Sequence, residues 1–478
     1  MNALGGFVIL YLVVSIGIGL YAATKVHNTG DYAVAGRSLP LYIVIATVFA
    51  TWFGSETVLG VPGEFVTHGL GGVIEDPFGA SMCLVLVGLF FARKLYKLKL
   101  LTIADYYRHR YNRVVEVIVS VCILLSYLGW VAAQITALGM VAQILSGGAI
   151  SLVMGMVLGA TIVGTYTMFG GMWSVAMTDF FQMIIIVVGL LFIAYFMGDL
   201  AGGAGTVITH AAEAGKLDMR PEFTLAGMLA FIGAAVTLML GSIPQQDVFQ
   251  RVMSSKSADV AAWGAVIGGS FYLLFAFVPM FITYAAYLID PALVARHIDA
   301  DTAGHILPTL ILERAPQMAQ ILFFGALLSA IMSTASATLL APSITVVENI
   351  LRQFMPMNDR QQLRATRITV FLFTIAVTIY AWLMEGSSIY ELVGNAYKVT
   401  LVGAFIPLVM GLYWSRATTQ GALFSTIGGL ATWILMEVFA AESIWPPQLA
   451  GLLVSFFGMI IGSLLPSLAG KSAMPVTE

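Results

Sequence analysis

The chain has 478 residues, of which 59% are hydrophobic and only 10% are charged. Soluble domains carry about 25% charged residues, so this composition excludes a water-soluble protein and predicts one that crosses a membrane many times. The formal net charge of −3 is too small to indicate a highly charged partner, and we expect no binding to nucleic acid.

Apolar segments of about 20 residues, each long enough to cross ~30 Å of hydrocarbon, recur along the whole chain. We predict an all-α polytopic membrane protein with about thirteen membrane-spanning helices. The predicted spans, in chain order, are 5–22, 40–66, 76–93, 113–145, 149–168, 174–198, 224–245, 260–288, 318–352, 366–384, 388–413, 417–438 and 447–468.

The second predicted span is interrupted by the stretch FATWFGSETVLG at 49–60, which places Gly54 and Glu56 near its middle. Backbone that leaves helical geometry at membrane depth must be buried in protein or line a wet cavity. A helix broken there exposes N–H groups on one half and carbonyl groups on the other, which can bind an ion or a solute. The stretch therefore predicts a broken helix at a functional site.

The seventh predicted span has a similar interruption in LMLGSIPQQDVFQ, where Gly241 and Pro244 break the apolar run. Spans 2 to 6 form a set of five that precedes this one, and spans 7 to 11 form a second set of five that begins with it. Because five is odd, the two units would enter the membrane in opposite orientations, as in the inverted repeats of secondary transporters. The alternative is that both interruptions are simple kinks.

This symmetry predicts one transmembrane transporter domain over 1–478 with four parts. These are an extra N-terminal helix and loop (1–39), a first inverted repeat (40–198), a second inverted repeat (224–413), and C-terminal helices with a tail (414–478).

The stretch LLSAIMSTASATLLAPS at 327–343 places many hydroxyl groups in one apolar span. Ser333 and Thr334 follow Ala330 by three and four residues, so their hydroxyls share a helix face with its carbonyl group. Together with carbonyl groups freed near Ala50 and Phe53, they would supply the oxygen ligands that a small hard cation such as sodium requires. The alternative is that these hydroxyls bond back to the preceding helical turn.

The distribution of basic residues predicts the orientation. With the N-terminus outside the cell, 17 of the 22 Lys and Arg residues fall in cytoplasmic segments, 4 fall on the opposite side, and Lys398 lies within a span. By the positive-inside rule the C-terminus is then cytoplasmic. We expect a multi-pass protein of the cell (inner) membrane.

Several motifs together resemble the sodium:solute symporter family, from Lys25 to about Arg416. They are AGRSLP before the first interruption, GGMWSVAMTDFFQ, QRVMSSKS and SAIMSTAS. The resemblance implies a LeuT-like core of two inverted five-helix repeats and Na⁺ as the co-transported ion. It assigns the sodium ligands to Ala50, Phe53, Ala330, Ser333 and Thr334, the set that spacing also indicates. It assigns Asp179 to a second sodium site or to the ion's exit path.

Within the family, the stretches ATWFG, LFFARKLYK and LMLGSIPQQDVFQRVMSS are similar to the high-affinity choline transporter branch, and the proline symporter branch is also close. The resemblance assigns Trp52 and Trp130 to an aromatic cage that would hold a quaternary ammonium group by cation–π attraction. A third aromatic position falls on Gln245, and an acidic position falls on Ser336. These departures favour a solute with hydrogen-bonding groups.

Four further polar residues are candidates for the solute pocket: Ser55, Glu56, Thr57 and Gln134. Glu56 either braces the broken helix or touches the solute, and we favour bracing because a buried carboxylate stays charged only when it is well bonded. Gln134 is either a pocket group or part of an interhelical hydrogen bond.

Lys398 is a cation within a predicted span, and two interpretations are open. It could pair with Glu391, seven residues earlier, since charges inside a membrane usually pair. It could instead recognise a carboxylate on the solute.

The sequence thus predicts a sodium-coupled secondary active symporter that imports a small organic solute by alternating access. The solute classes are a choline-like quaternary amine, proline or another amino acid, or another small organic compound. The alternatives are a transporter of the same fold coupled to another ion and a transporter-like sensor. An enzyme is not expected, because neither HExxH nor GxSxG occurs in the chain. The expected partners are solute, sodium ion and lipid bilayer, and no oligomeric state is assigned.

Overall fold

The computed structural model describes residues 3–298, 302–440 and 442–466, and helices dominate all three ranges. Within these ranges the only β-type pairing is an isolated bridge between Leu39 and Ser255. A helix satisfies its own backbone hydrogen bonds, which a lipid environment requires of any exposed segment. The all-α prediction is confirmed.

The long apolar helices follow one another along the chain. In chain order they are Ala3–Ala23, Leu41–Trp52, Glu56–His68, Leu70–Leu98, Arg113–Leu145, Leu152–Leu200, Leu225–Gly241, Gln246–Ser254, Ala258–Ile289, Gln317–Phe354, Asp359–Leu383, Ile389–Tyr413, Thr419–Phe439 and Pro447–Leu464. Shorter helices lie between them at Thr29–Val34, Ile103–Arg110, Ala204–Glu213, Pro291–His297 and Ile306–Arg314.

Side-chain caps begin many of these helices. A side chain of the residue before the helix accepts a hydrogen bond from a backbone N–H in the first turn, which satisfies one of the free donors there. The capping residues include Asn112, Ser151, Thr224, Ser257 and Asn358.

The number of spans in the described ranges agrees with the prediction. Ten helices are long and apolar enough to cross a membrane, and two bent pairs raise the number to twelve. One of the ten, Leu152–Leu200, has 49 residues, which is about 73 Å of helix and more than two membrane thicknesses. Gly171 interrupts it with φ 52° and ψ −141°, and a Cβ atom there would collide with the Tyr32 carbonyl oxygen. Glycine at 171 therefore divides this helix into the two spans expected at 149–168 and 174–198.

The helix Gln317–Phe354, called here the serine-rich helix, lies at the centre of the molecule. Of its most apolar 18-residue window, 89% is buried, against 22% for Ala3–Ala23 at the periphery. It packs against Leu152–Leu200, Arg113–Leu145 and Leu41–Trp52. The hydroxyl-rich segment is therefore surrounded by protein, where its polar groups find partners.

Candidate functional site

The first broken helix consists of Leu41–Trp52 and Glu56–His68, whose axes differ by 56°. Phe53 ends the first half with φ −87° and ψ 70°. A Cβ atom at Gly54 would lie 2.6 Å from both Glu56 Oε2 and Thr334 Oγ1. Any larger residue at this position would therefore displace these side chains. The interruption predicted at 50–57 is confirmed.

Oxygen atoms of the first broken helix and of the serine-rich helix meet at this break. The Thr334 hydroxyl donates to the carbonyl oxygen of Thr51 at 2.8 Å and to that of Ala50 at 3.5 Å. Phe53, Ala330 and Ser333, the other three candidate ligands, are also fully buried. Neutral hydroxyl and carbonyl oxygens are the ligands that a hard cation such as sodium takes, so these residues fit the ion.

Asp179 lies next to this set of oxygens and is fully buried. Ser333 donates to its Oδ1 at 2.6 Å, while Thr47 and Thr51 donate to its Oδ2, the latter at 3.4 Å. One carboxylate and three hydroxyls therefore converge, and Ser333 belongs to both groups of ligands. The arrangement is a second place where oxygen atoms surround a position suited to a cation.

Arg251 connects the two interrupted helices, although it lies beyond the end of the predicted span 224–245. Its guanidinium donates to the Thr51 hydroxyl at 2.6 Å and to the Asp247 carbonyl oxygen at 2.9 Å. It is only 2% exposed, like the rest of the helix Gln246–Ser254 around it. A buried arginine needs such partners, and here they lie on both broken helices.

The second broken helix consists of Leu225–Gly241 and Gln246–Ser254, bent by 44°. Gln245, in the break, donates to the hydroxyls of Ser126 at 2.8 Å and Thr400 at 3.3 Å. The Asp247 backbone N–H donates to the Tyr127 hydroxyl at 2.9 Å, and that hydroxyl donates to the Asp247 carboxylate at 2.6 Å. Side chains of two neighbouring helices thus satisfy the freed groups.

Three aromatic side chains form a cluster on the other side of the first break. Trp52 lies 5.6 Å from Trp130 and 6.2 Å from Tyr397, and Trp130 lies 5.5 Å from Tyr397, measured between ring centroids. Tyr397 was not among the residues predicted from the sequence. The signal that could have indicated it is its position in the polar run GNAYK, two residues after Asn395. The Trp52 Nε1 and Tyr397 hydroxyl groups are buried without a hydrogen-bond partner in the protein. Buried polar groups normally have a partner, so a bound molecule with polar atoms would fit here.

Glu56 is held by the helix Arg113–Leu145. Its carboxylate accepts from Trp130 Nε1 at 3.0 Å and from Gln134 Nε2 at 2.7 Å, while Gln134 Oε1 accepts from the freed Ser55 N–H at 2.9 Å. Both oxygens of Glu56 are therefore engaged by side chains of a neighbouring helix. This arrangement favours the bracing interpretation of Glu56 and the interhelical role of Gln134.

Asp76 is a buried acid that sequence reasoning did not single out, although it interrupts the apolar run beside Pro77. The Thr57 hydroxyl lies 2.9 Å from the Tyr272 hydroxyl, which in turn donates to Asp76 Oδ1. Asp76 Oδ2 has no partner, although the residue is 2% exposed. An acceptor oxygen therefore remains free near the first break.

Lys398 does not form the expected ion pair with Glu391. Its Nζ lies 3.5 Å from Oε1 of Glu437, on the helix Thr419–Phe439. Seven residues correspond to about 10 Å along a helix axis, so Lys398 and Glu391 lie too far apart for direct contact. Glu391 is exposed to the surroundings instead.

Comparison with solved structures defines the fold. A Na⁺-coupled sialic acid symporter, in a substrate-bound outward-open state, matches with a TM-score of 0.83 at 20% identity over 100% of both chains. MhsT in complex with L-phenylalanine matches with a TM-score of 0.55 at 14% identity, over 89% of this chain and 97% of its own. The fold is therefore the LeuT-like fold, in which both helix breaks are found.

Comparison of sequences then places the chain in a family. The family model of the sodium:solute symporter family matches residues 32–429, and the chain belongs to this family. High affinity choline transporter 1 of Homo sapiens is 26% identical, over 90% of this chain and 76% of its own length. The sodium/pantothenate symporter of Haemophilus influenzae is 26% identical over 95% of both chains. Na⁺ is the ion that this family co-transports, and the chain is a multi-pass membrane transporter.

Proposed function

We propose that this protein imports a small organic solute across the cell membrane by sodium-coupled alternating access. The observation that carries the proposal is the contact of Thr334 with the carbonyl oxygens of Ala50 and Thr51. Sodium bound there, with Ala50, Phe53, Ala330, Ser333 and Thr334 as ligands, would hold the first broken helix against the serine-rich helix. The N-terminus lies outside and the C-terminus in the cytoplasm, as the basic residues indicate.

Sodium and solute would couple through the first broken helix. The oxygens for sodium lie at the end of Leu41–Trp52, and Trp52 itself contributes to the aromatic cluster. Fixing this end of the helix therefore also fixes one wall of the solute pocket. Because coupling between two sites is reciprocal, solute must in turn tighten sodium binding.

The solute pocket lies between the two breaks, with Trp52, Trp130 and Tyr397 as its aromatic walls. Ser55, Thr57 and Gln245 supply polar groups at its edge, and Glu56 and Gln134 hold its shape. Aromatic faces attract a positively charged amine, and the unpartnered Oδ2 of Asp76 is an acceptor that an N–H group of the solute would satisfy. We therefore propose a small solute with an amine that can donate hydrogen bonds.

A cavity of about 110 Å³ lies beyond the pocket toward the far end of the first broken helix. It is lined by Leu59, Gly60 and Glu64 on that helix and by Met140 and Gly304 opposite. With the proposed orientation this cavity opens on the outer side, so it would be the path by which solute reaches the pocket.

The test is uptake into liposomes that contain the purified protein. Labelled amino acids, quaternary amines, monocarboxylates and sugars are tested in turn. We expect an inward sodium gradient to drive accumulation of a solute that carries an amine. Accumulation driven equally by potassium or by a proton gradient would contradict sodium coupling. Binding without any uptake would instead indicate a sensor.

Asp179 would hold a second sodium ion beside the first. Asp179→Asn removes the charge but keeps the shape, so we expect the sodium dependence of uptake to lose its sigmoidal form and become hyperbolic. Asp199→Asn, an exposed position at the end of the same helix, serves as the control. An unchanged sigmoidal dependence in Asp179→Asn would show that Asp179 does not hold a second ion.

A further inference from the structure

A groove of about 380 Å³ lies on the lateral surface of the molecule, between two membrane-spanning helices, and has no part in the proposed transport mechanism. It runs between the helices Leu152–Leu200 and Asp359–Leu383, and its lining residues include Val157, Met168, Phe371 and Ile379. Ligand sites typically have volumes of about 300–1,000 Å³, so this groove is large enough for part of a small molecule or for one alkyl chain.

The length of the groove matches one leaflet of a bilayer. From Val157 to Met168 the wall rises through eleven residues, which is about 16 Å of helix. Half of a hydrocarbon core of ~30 Å is ~15 Å. The groove therefore extends from the membrane surface to about the middle of the bilayer.

The floor of the groove is narrow and its rim is wide and apolar. At the floor a Cβ atom on Gly164 would lie 3.0 Å from Thr374 Oγ1, so the two helices nearly touch. At the rim Phe371, Ile375 and Ile379 are 54%, 44% and 51% exposed. This shape accommodates a thin flexible chain between the two helices.

The hydroxyl groups in the groove wall do not make it polar. The Thr161 hydroxyl donates to the Val157 carbonyl oxygen at 2.7 Å, and the Thr378 hydroxyl donates to the Thr374 carbonyl oxygen at 2.7 Å. Hydroxyls bonded back to the preceding turn present their methyl groups and carbon atoms to a ligand. The groove is therefore suited to hydrocarbon.

One end of the groove is basic. Arg367 lies one helical turn before Phe371, and Arg364 lies one turn before Arg367, so all three share one face of the helix. Arg367 donates to the carbonyl oxygen of Phe169, next to the groove residue Met168, at 3.2 Å. Its Nε is enclosed by the protein, but its terminal Nη1 group is not enclosed and has no partner among the described residues. A guanidinium group with free donors at this place is suited to a phosphate group.

We propose that this groove binds one acyl chain of an anionic phospholipid from the leaflet on the side of Arg367, and that the lipid phosphate contacts Arg367. The apolar groove leads directly to Arg367, just as the acyl chain of a phospholipid leads to its phosphate group. Basic residues at the membrane surface attract anionic lipids. We therefore expect the groove to prefer an anionic phospholipid to a zwitterionic one.

The test measures the lipid retained by the full-length protein. Purified protein in micelles with equal amounts of phosphatidylglycerol and phosphatidylcholine is examined by native mass spectrometry. We expect retained phosphatidylglycerol to exceed phosphatidylcholine by about fivefold, the effect of one basic residue near the membrane surface. Arg367→Gln should abolish this preference, whereas Arg416→Gln, an exposed arginine outside the groove, should leave it unchanged.

The hydrocarbon part is tested separately. Thr161→Phe fills the groove and should reduce retention of both lipids severalfold. Thr432→Phe is its matched control, because Thr432 also bonds back to a carbonyl oxygen four residues earlier, that of Gly428, at 2.8 Å. Equal retention by Thr161→Phe and the wild type would overturn the proposal. The proposal would also be overturned if the wild type were a dimer and Thr161→Phe a monomer, because a second copy of the chain would then cover the groove.

Discussion

The two broken helices occupy corresponding places in the predicted repeats, yet they differ in chemistry. At the first break, one glycine allows the carbonyl oxygens of Ala50 and Thr51 to face the Thr334 hydroxyl of the serine-rich helix. At the second break, Asp247 and Arg251 lie one turn apart and are buried along the same short helix. The first break therefore offers oxygen atoms to an external cation, whereas the short helix after the second break carries a guanidinium group of its own, which also reaches Thr51 of the first broken helix. Symmetry of topology does not imply symmetry of the site.

The largest effect is expected for sodium at the first break. Thr334→Val removes the hydroxyl that faces Ala50 and Thr51 but keeps the volume of the side chain. A bond to a charged group contributes about 1.5–3 kcal/mol, so the sodium concentration for half-maximal uptake should rise about 10- to 100-fold. Thr338→Val is the matched control, because its hydroxyl is bonded back to the Thr334 carbonyl oxygen at 2.7 Å. A similar rise in the control would show that the effect is not local to the break.

Glu56→Gln sharpens the comparison on the solute side of the same break. The carboxylate accepts from both Trp130 and Gln134, and an amide must turn its NH₂ group toward one of these donors. An unmatched buried donor costs about 1–3 kcal/mol, so we expect solute affinity to fall about tenfold while sodium affinity changes less. Thermal-shift titration with solute measures this change.

The control for that variant is Glu64→Gln, on the same helix, where the carboxylate faces His68 at 3.1 Å. If Glu64→Gln lowers the affinity for solute as much as Glu56→Gln does, or if Glu56→Gln has no effect on it, bracing by Glu56 does not shape the pocket.

Gln245→Leu tests the second break and should have a smaller effect. It removes the hydrogen bonds to Ser126 and Thr400, each a net contribution of about 1 kcal/mol or less. We expect the solute concentration for half-maximal uptake to rise about fivefold, with the sodium concentration unchanged. Gln448→Leu is the control, since its amide bonds at 3.5 Å to the hydroxyl of Thr237, which lies on the same broken helix one turn before the break. A rise in the sodium value as large as that for Thr334→Val would remove the distinction between the two breaks.

The smallest effect is expected for Lys398, outside both breaks. Its partner Glu437 is 38% exposed, and such pairs contribute about 0.2–1 kcal/mol. Lys398→Met should therefore change uptake by less than about fivefold for every solute in the panel. Selective loss of uptake of solutes with a carboxylate would instead assign Lys398 to solute recognition.

The breaks themselves could be predicted because the reasons for them are local. Gly54 and Gly241 interrupt apolar runs that are otherwise long enough to cross the membrane, and lipid does not tolerate exposed irregular backbone. The shared face of Ser333 and Thr334 likewise follows from helical periodicity alone. These features depend on residues within a few positions of one another, so they can be read from the sequence.

The partners across helices were not predictable in this way. Arg251 and Thr51 lie 200 residues apart in sequence, and Glu56 and Trp130 lie 74 apart. The incorrect pairing of Lys398 with Glu391 shows the same limit, because its actual partner is on the next span. Periodicity orders residues along one helix but does not say which neighbouring helix its polar face meets.

The amino-acid sequence by itself determined that the chain crosses the membrane about thirteen times, where two helices unwind, and which hydroxyls share a face. The tertiary structure alone decided that Tyr397 joins the two tryptophans, that Arg251 bridges the breaks, and that Asp76 keeps a free oxygen near the pocket. The physical reason is that backbone hydrogen bonding and hydropathy act over single helices. The contacts that build a binding site arise only when helices distant in sequence pack together.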